Sequence, residues 1–260
     1  MRMNLNKIIL GYNKKSMFVN LSKDLQIQET QQFPLQLSLK DIHNQLKNLR
    51  FESFYQSTGG MNNKNEALEK AHLIPFNLMY YYLFITNQQI PTPQHLSCEY
   101  VYRFCEKSKE LPHYYKLKTE YQQDYSNILF TLEELTGRIC RAYNSFNREV
   151  ELAFRLMEET DLLVRYSFKE DYIEGIDLGI SYNHNDKIGV ACYQNNLRTK
   201  YFKELKETTR RKNYDVNNII SMAIDKNNHD LCGEIWIYSQ AEYNKLKQEI
   251  YKRGSTIDAN

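Results

Sequence analysis

The stretch from Ser145 to Tyr238 constrains this chain most, because there the apolar residues change from helical spacing to strand spacing and back. SFNREVELAFRLMEE carries a helical stripe, and Ser145 is its expected N-cap. Three apolar runs follow: LLVRYSF at 162–168, YIEGIDLGISY at 172–182 and KIGVACYQ at 187–194. Their β-branched and aromatic content predicts strands, and the polar NHND at 183–186 predicts a hairpin turn between the last two. RTKYFKELKETTRRKN at 198–213 reads as a basic helix, EIWIYS at 234–239 as a further strand and QAEYNKLKQEIYKR as a closing helix. The expected order is helix, three strands, helix, strand.

Two acids in this stretch stand where acids are costly. At helical spacing Val150, Ala153, Phe154 and Met157 share the apolar face, Glu149 flanks that face, and Glu151 turns toward water. A carboxylate drawn against a sheet either contributes to a metal site or pairs with a neighbouring arginine, here Arg148 or Arg155. Asp177 interrupts an apolar run just after Gly175 and Ile176, although Asp is disfavoured inside strands. An unpaired buried carboxylate costs several kcal/mol, so Asp177 needs a cation, a metal or several N–H donors. Metal ligation and turn hydrogen bonds are both open to it.

The helix and strand order, with Glu149 on the first helix and Asp177 on the second strand, resembles the PD-(D/E)XK superfamily of metal-dependent nucleases, the restriction-endonuclease-like fold. The resemblance covers roughly the last 115 residues. It implies an α+β or α/β chain: a mostly helical N-terminal region over 1–140, then an αβββαβ core with a mixed sheet over 141–260. That family carries an acid-x-Lys on its third strand, ahead of which stand an acid on the first helix and an Asp on the second strand. Laid over KIGVACY, the third-strand pattern puts Ala191 and Tyr193 where acid and lysine would be. Gln194 falls on the opposite strand face.

The resemblance implies a hydrolase, a magnesium- or manganese-dependent endonuclease acting on DNA in genome defence or DNA processing. Glu149 and Asp177 would hold the metal, and Lys200 or Arg198 would supply the cation that the third strand lacks. Arg198, Lys203, Lys206, Arg210, Arg211 and Lys212 would neutralise phosphates, which gives affinity without base specificity. A solvated helix face accounts for the same charge run. Because Ala191 and Tyr193 lack the chemistry, the alternative is a catalytically silent nuclease fold that binds nucleic acid or assembles a complex. RNA in place of DNA, and a homodimer or a multi-protein complex, stay open.

Composition bounds these readings without choosing among them. In 260 residues, 42% are apolar and 13% aromatic, enough for a substantial core. The 34 basic and 32 acidic residues nearly balance, so any basic face must be local. Five cysteines without a C-x-x-C pair predict buried free thiols in a reducing compartment. No apolar run reaches membrane-spanning length, and the expectation is a soluble cytoplasmic protein. Six scattered histidines exclude a zinc-spaced motif, and no phosphate loop, dinucleotide fingerprint or nucleophile elbow is present.

The N-terminal half punctuates itself with all five prolines, none beyond Pro112. Ser38 is expected to cap a helix with Leu39, Ile42, Leu46 and Leu49 on one side. Pro75 should break the run NEALEKAHLIPFNLMYYYLFITN, and Pro91 and Pro93 mark entry to a helix with Leu96, Tyr100 and Phe104 in line. Thr131 and Glu134 have capping-box spacing ahead of Leu135 and Ile139. Paired short helices admit a helix-turn-helix, but no dense basic face accompanies them. Trp236 is expected in the core.

Overall fold

The computed structural model describes residues 2–4, 37–50, 76–101, 129–166, 169–182, 185–194, 218–225 and 227–257. The chain divides into two units, one of Met1–Gln28 with Leu49–Asn144, the other of Glu29–Asn48 with Ser145–Asn260. The segment around Ser38 therefore joins the later residues, across the sequence boundary expected near 140.

In the first unit, β1 (Arg2–Asn4) pairs antiparallel with β2 (Leu129–Thr131). Helix α2 (Phe76–Asn87) begins directly after Pro75, where proline's fixed φ suits a helix start. Helix α3 (Pro93–Val101) has proline at its first position, and the Thr92 hydroxyl accepts the His95 N–H at 3.2 Å. The Tyr-rich run is core: Tyr80, Tyr81 and Phe84 are buried. Tyr80 stacks on Phe84 and meets Tyr143 edge-on at 6.3 Å. Tyr143 also donates its hydroxyl to the Pro91 carbonyl at 2.6 Å. Aromatics dominate because each buries a large area with few rotamers to freeze.

Helix α4 (Leu132–Glu159) starts right after Thr131 and runs through the unit boundary into the second unit. The sequence reading placed a helix start at Ser145, and the structure corrects it. No proline or glycine interrupts AYNSFN, so the two expected helices fuse, and Ser145 lies inside the helix with its hydroxyl turned to its own i+4 neighbour Glu149.

The second unit holds a mixed four-stranded sheet in the order β3 (Leu163–Arg165), β4 (Leu178–Tyr182), β5 (Asn185–Gln194), β6 (Ile219–Ile224). The first three are antiparallel neighbours, whereas β6 runs parallel to β5, with Val190 opposite Ile220. Two expected strands come out shorter. Among the described residues of LLVRYSF the strand is Leu163–Arg165, and the start of YIEGIDLGISY belongs to a π-helical turn at Lys169–Glu174. EIWIYS is not the sheet's fourth strand: β8 (Ile235–Tyr238) pairs with β7 (His229–Cys232) in a separate hairpin, and IISMAI takes the place beside β5. β6 stands at the edge of the sheet and runs parallel to β5, and IISMAI is a nearly continuous apolar run of the kind parallel strands carry, which is why it gave no alternation signal. Trp236 is half-buried and stacks on His229 at 4.5 Å instead of lying in the core.

Helix α1 (Leu39–Asn48) lies against β7, and α5 (Gln240–Ile257) lies against β5 and β6. Ser38 and Asp41 exchange hydrogen bonds at the start of α1 as a capping pair, and Ser239 and Glu242 do the same for α5. Gly233, at φ +64°, turns β7 into β8. A Cβ there would stand 2.7 Å from the Leu46 carbonyl oxygen, so only glycine lets the hairpin sit on the backbone of α1. Cys140, Cys192 and Cys232 are buried free thiols, but Cys98 is exposed, contrary to expectation.

Candidate functional site

Asp177 is positioned by a change of backbone hand. The π-helical turn closes with the Ile176 N–H on the Glu170 carbonyl at 2.9 Å, and Gly175 at φ +71° reverses the chain into β4. Asp177 then precedes the strand rather than lying within it. Its N–H donates to the Val190 carbonyl at 3.0 Å, and its Oδ2 accepts the Cys192 N–H at 2.5 Å. The carboxylate thus meets the donor on β5 that lies beyond the last backbone pair, Leu178 with Val190. Part of the cost of burying it is offset this way.

Glu149 comes to the same place from α4. Glu149, Asp177 and Asp171 are 5%, 3% and 9% exposed. Burial pushes the Glu149 carboxyl well above the usual carboxylate range, and the charges of Asp177 and then Asp171 push it further. The Ser145 hydroxyl, which donates to Glu149 Oε1 at 2.8 Å, and the nearby Arg148 act in the opposite direction. The two acids singled out from sequence are thus both buried, and the charge of Asp177 acts on Glu149. Asp171 was missed; its signal was the acid run KEDYIE, which looks like an exposed loop until the π-helical turn folds it inward.

The strand register corrects a further expectation. Ala191 was placed where the third-strand acid would stand, but Ala191 packs with Ile176 and Ile219 in an apolar cluster. The β5 residue that faces the acids is Cys192, whose thiol is pushed up by burial and then by Asp177 and Glu149. Alternation along a strand makes a one-residue slip equivalent to a change of face. Tyr238 borders the site: its hydroxyl donates to the Met222 carbonyl at 3.1 Å. The guanidinium of Arg148 lies 5.7 Å from the centre of the Tyr238 ring.

The rotation that set Glu149 inward left Glu151 toward water, and there the structure disagrees. Glu151 is fully buried because α1, from far earlier in the chain, covers that side of α4. His43 Nε2 lies 3.0 Å from Glu151 Oε1. A helical wheel drawn from one helix has no knowledge of a second helix laid on its other side.

Lys200, Arg198, Lys203, Lys206, Arg210, Arg211 and Lys212 lie outside the described residues, as does the expected helix at 198–213. Among the described residues no three His, Cys, Asp or Glu side chains are grouped so as to hold a metal ion. Glu149 and Asp177 by themselves would offer a divalent ion two hard carboxylates, and water would have to fill every other position. Among the described residues no helix is long and apolar enough to cross a membrane.

Fold and site together define an α+β protein with a mixed four-stranded sheet and a buried acid cluster at the mouth of its second strand. No family model, curated protein or solved structure matches the chain.

Proposed function

We propose that this chain is a restriction-endonuclease-like phosphodiesterase acting on DNA, with Glu149 and Asp177 as the residues that hold magnesium or manganese. The observation that carries this reading is the burial of the two acids beside each other, one from the helix that leads into a mixed sheet and one at the start of its second strand. Like charges in a dry place are costly, and a divalent cation relieves that cost. When bound, such an ion supplies Lewis-acid stabilisation of a phosphodiester and an activated water.

The chain's own residues have definite tasks. Ser145 orients Glu149 through the 2.8 Å hydrogen bond, and the Cys192 N–H orients Asp177. The reaction forms a P–O bond to water oxygen and breaks the P–O bond to the sugar; a proton from that water ends on the leaving oxygen. The nuclease resemblance points to genome defence or DNA processing as the setting.

A second reading has a specific observation in its favour. No acid or lysine stands on β5 where Cys192 faces the cluster, and Asp177 Oδ2 is engaged by the Cys192 N–H. That suits a catalytically silent fold kept as a nucleic-acid-binding or assembly module. Incubating the purified chain with plasmid DNA and Mg²⁺ or Mn²⁺ separates the two. Metal-dependent nicking that falls on the order of 1000-fold in Asp177→Ala supports the nuclease. Salt-sensitive DNA binding with no cutting under any metal supports the silent module, and cutting that persists in Asp177→Ala removes the assigned site.

A further inference from the structure

Arg148 is buried, 4% exposed, yet makes no ion pair among the described residues. Its Nη2 donates to the Ser145 hydroxyl at 3.3 Å, its Nε has no hydrogen-bond partner among the described residues, and its Cζ lies over the Tyr238 ring, 5.7 Å from the centre. A buried guanidinium ordinarily has its donors met by carboxylates or carbonyls, since desolvating it otherwise is costly. The Ser145 hydroxyl that receives Arg148 also donates to Glu149, so the guanidinium stands beside that acid, and its charge acts on Glu149, Cys192 and Tyr238.

We propose that Arg148 is the phosphate-binding cation of this site, meeting a non-bridging oxygen of the phosphodiester where β5 offers only Cys192. The inference rests on the nuclease reading above and adds to it the residue that receives the substrate's charge. Charge balance argues for it. Two carboxylates and one divalent cation cancel; a phosphodiester then brings one further negative charge into a water-poor place, and Asp171 adds to the demand for a cation. Among the described residues Arg148 is the cation whose charge acts on both Glu149 and Cys192. Its fork also matches two phosphate oxygens at once, which an ammonium does not.

The position is held in advance. Tyr238 is pinned through its hydroxyl to Met222, and Ser145 links Arg148 to Glu149 by one hydrogen bond on each side. A cation fixed before substrate arrives needs no reorganisation when charge develops on the phosphate.

The test compares the full-length wild type with Arg148→Met, Arg148→Lys and Asp177→Asn. Mn²⁺ affinity is measured calorimetrically without DNA, DNA affinity in Ca²⁺ where turnover is suppressed, and plasmid cutting in Mg²⁺. Arg148→Met is expected to keep Mn²⁺ affinity, to weaken Ca²⁺-dependent DNA binding about tenfold and to slow cutting about 100-fold, with partial rescue by added methylguanidinium. Asp177→Asn is expected to lose Mn²⁺ binding as well. A folded Arg148→Met that binds and cuts DNA like the wild type overturns the proposal, and so does one that loses Mn²⁺ in step with Asp177→Asn. Should Arg148→Met fail to fold, Arg148→Lys decides: slowed cutting with intact Mn²⁺ binding supports the assignment, and wild-type binding and cutting overturn it. A wild type that neither binds Mn²⁺ nor cuts removes the nuclease reading itself, an outcome distinct from failure at Arg148 alone.

Discussion

On one side of α4, Glu151 is buried against His43; two residues earlier, Glu149 is buried against Asp177 and Asp171. The two glutamates share a helix and nearly the same exposure, but one has an imidazole partner 3.0 Å away, whereas at the other burial and two like charges outweigh the Ser145 hydroxyl and Arg148. The first arrangement holds structure together. The second costs stability, and such sites persist where a ligand, here a divalent cation by our reading, makes use of the charge. Burial alone therefore does not separate a structural acid from a functional one; the sign of its neighbours does.

The comparison is broken most directly at His43. His43→Ala leaves Glu151 fully buried with Oε1 stripped of its partner, and Oε2 has none among the described residues to begin with. Removing one partner of a buried pair is strongly destabilising; because the His43 side chain is 32% exposed, the expected loss is below the usual range, about 2–3 kcal/mol. Urea unfolding measures it, and adding Glu151→Leu to His43→Ala should restore most of the loss. A His43→Ala protein as stable as wild type means that the pair is ornamental and the contrast with Glu149 is false.

Gly233→Ala probes the same side through shape rather than charge. The substitution puts a Cβ 2.7 Å from the Leu46 carbonyl at a φ of +64°, so either α1 lifts from the hairpin or the turn is strained. A loss of about 2 kcal/mol is expected, with faster amide exchange in α1 than elsewhere in the second unit. Uniform exchange across that unit contradicts the idea that α1 is a separately seated cover.

Much of the second unit was legible from local pattern. The helix carrying Glu149, the strand KIGVACYQ, the closing helix and the Ser38 cap all rest on periodicity or on capping residues a few positions apart. What escaped depends on residues far apart in sequence. IISMAI became a sheet strand because β5 offered it a parallel edge, and Glu151 became buried because α1 arrived from some hundred positions earlier. At the site, Glu149 and Asp177 were readable as acids in costly places. Asp171 and Arg148 were not: the π-helical turn that brings Asp171 inward has no sequence spacing of its own, and Arg148 looked like a rim partner for Glu149. The slip from Ala191 to Cys192 came from counting strand faces without knowing which one meets the helix.

Glu149→Gln sharpens the other half of the comparison and has the smallest expected effect. Burial, then Asp177 and Asp171, hold the Glu149 carboxyl above its ordinary value of 4.5, so the folded state keeps that proton more tightly than the unfolded chain does. The sign follows from linkage: the contribution is fully present below the unfolded value and is lost as pH rises through the folded one. At neutral pH the wild type therefore carries an ionisation penalty that glutamine, which still accepts the Ser145 hydroxyl, does not. Glu149→Gln should gain about 1–2 kcal/mol near neutrality, with the gain vanishing on acidification toward the ordinary glutamate value. Unfolding midpoints across that range measure the difference, and Mn²⁺ should stabilise the wild type while leaving Glu149→Gln nearly unmoved. A glutamine variant that is less stable at neutral pH means that Arg148 already satisfies Glu149 as His43 satisfies Glu151, and the two sides of α4 are then alike.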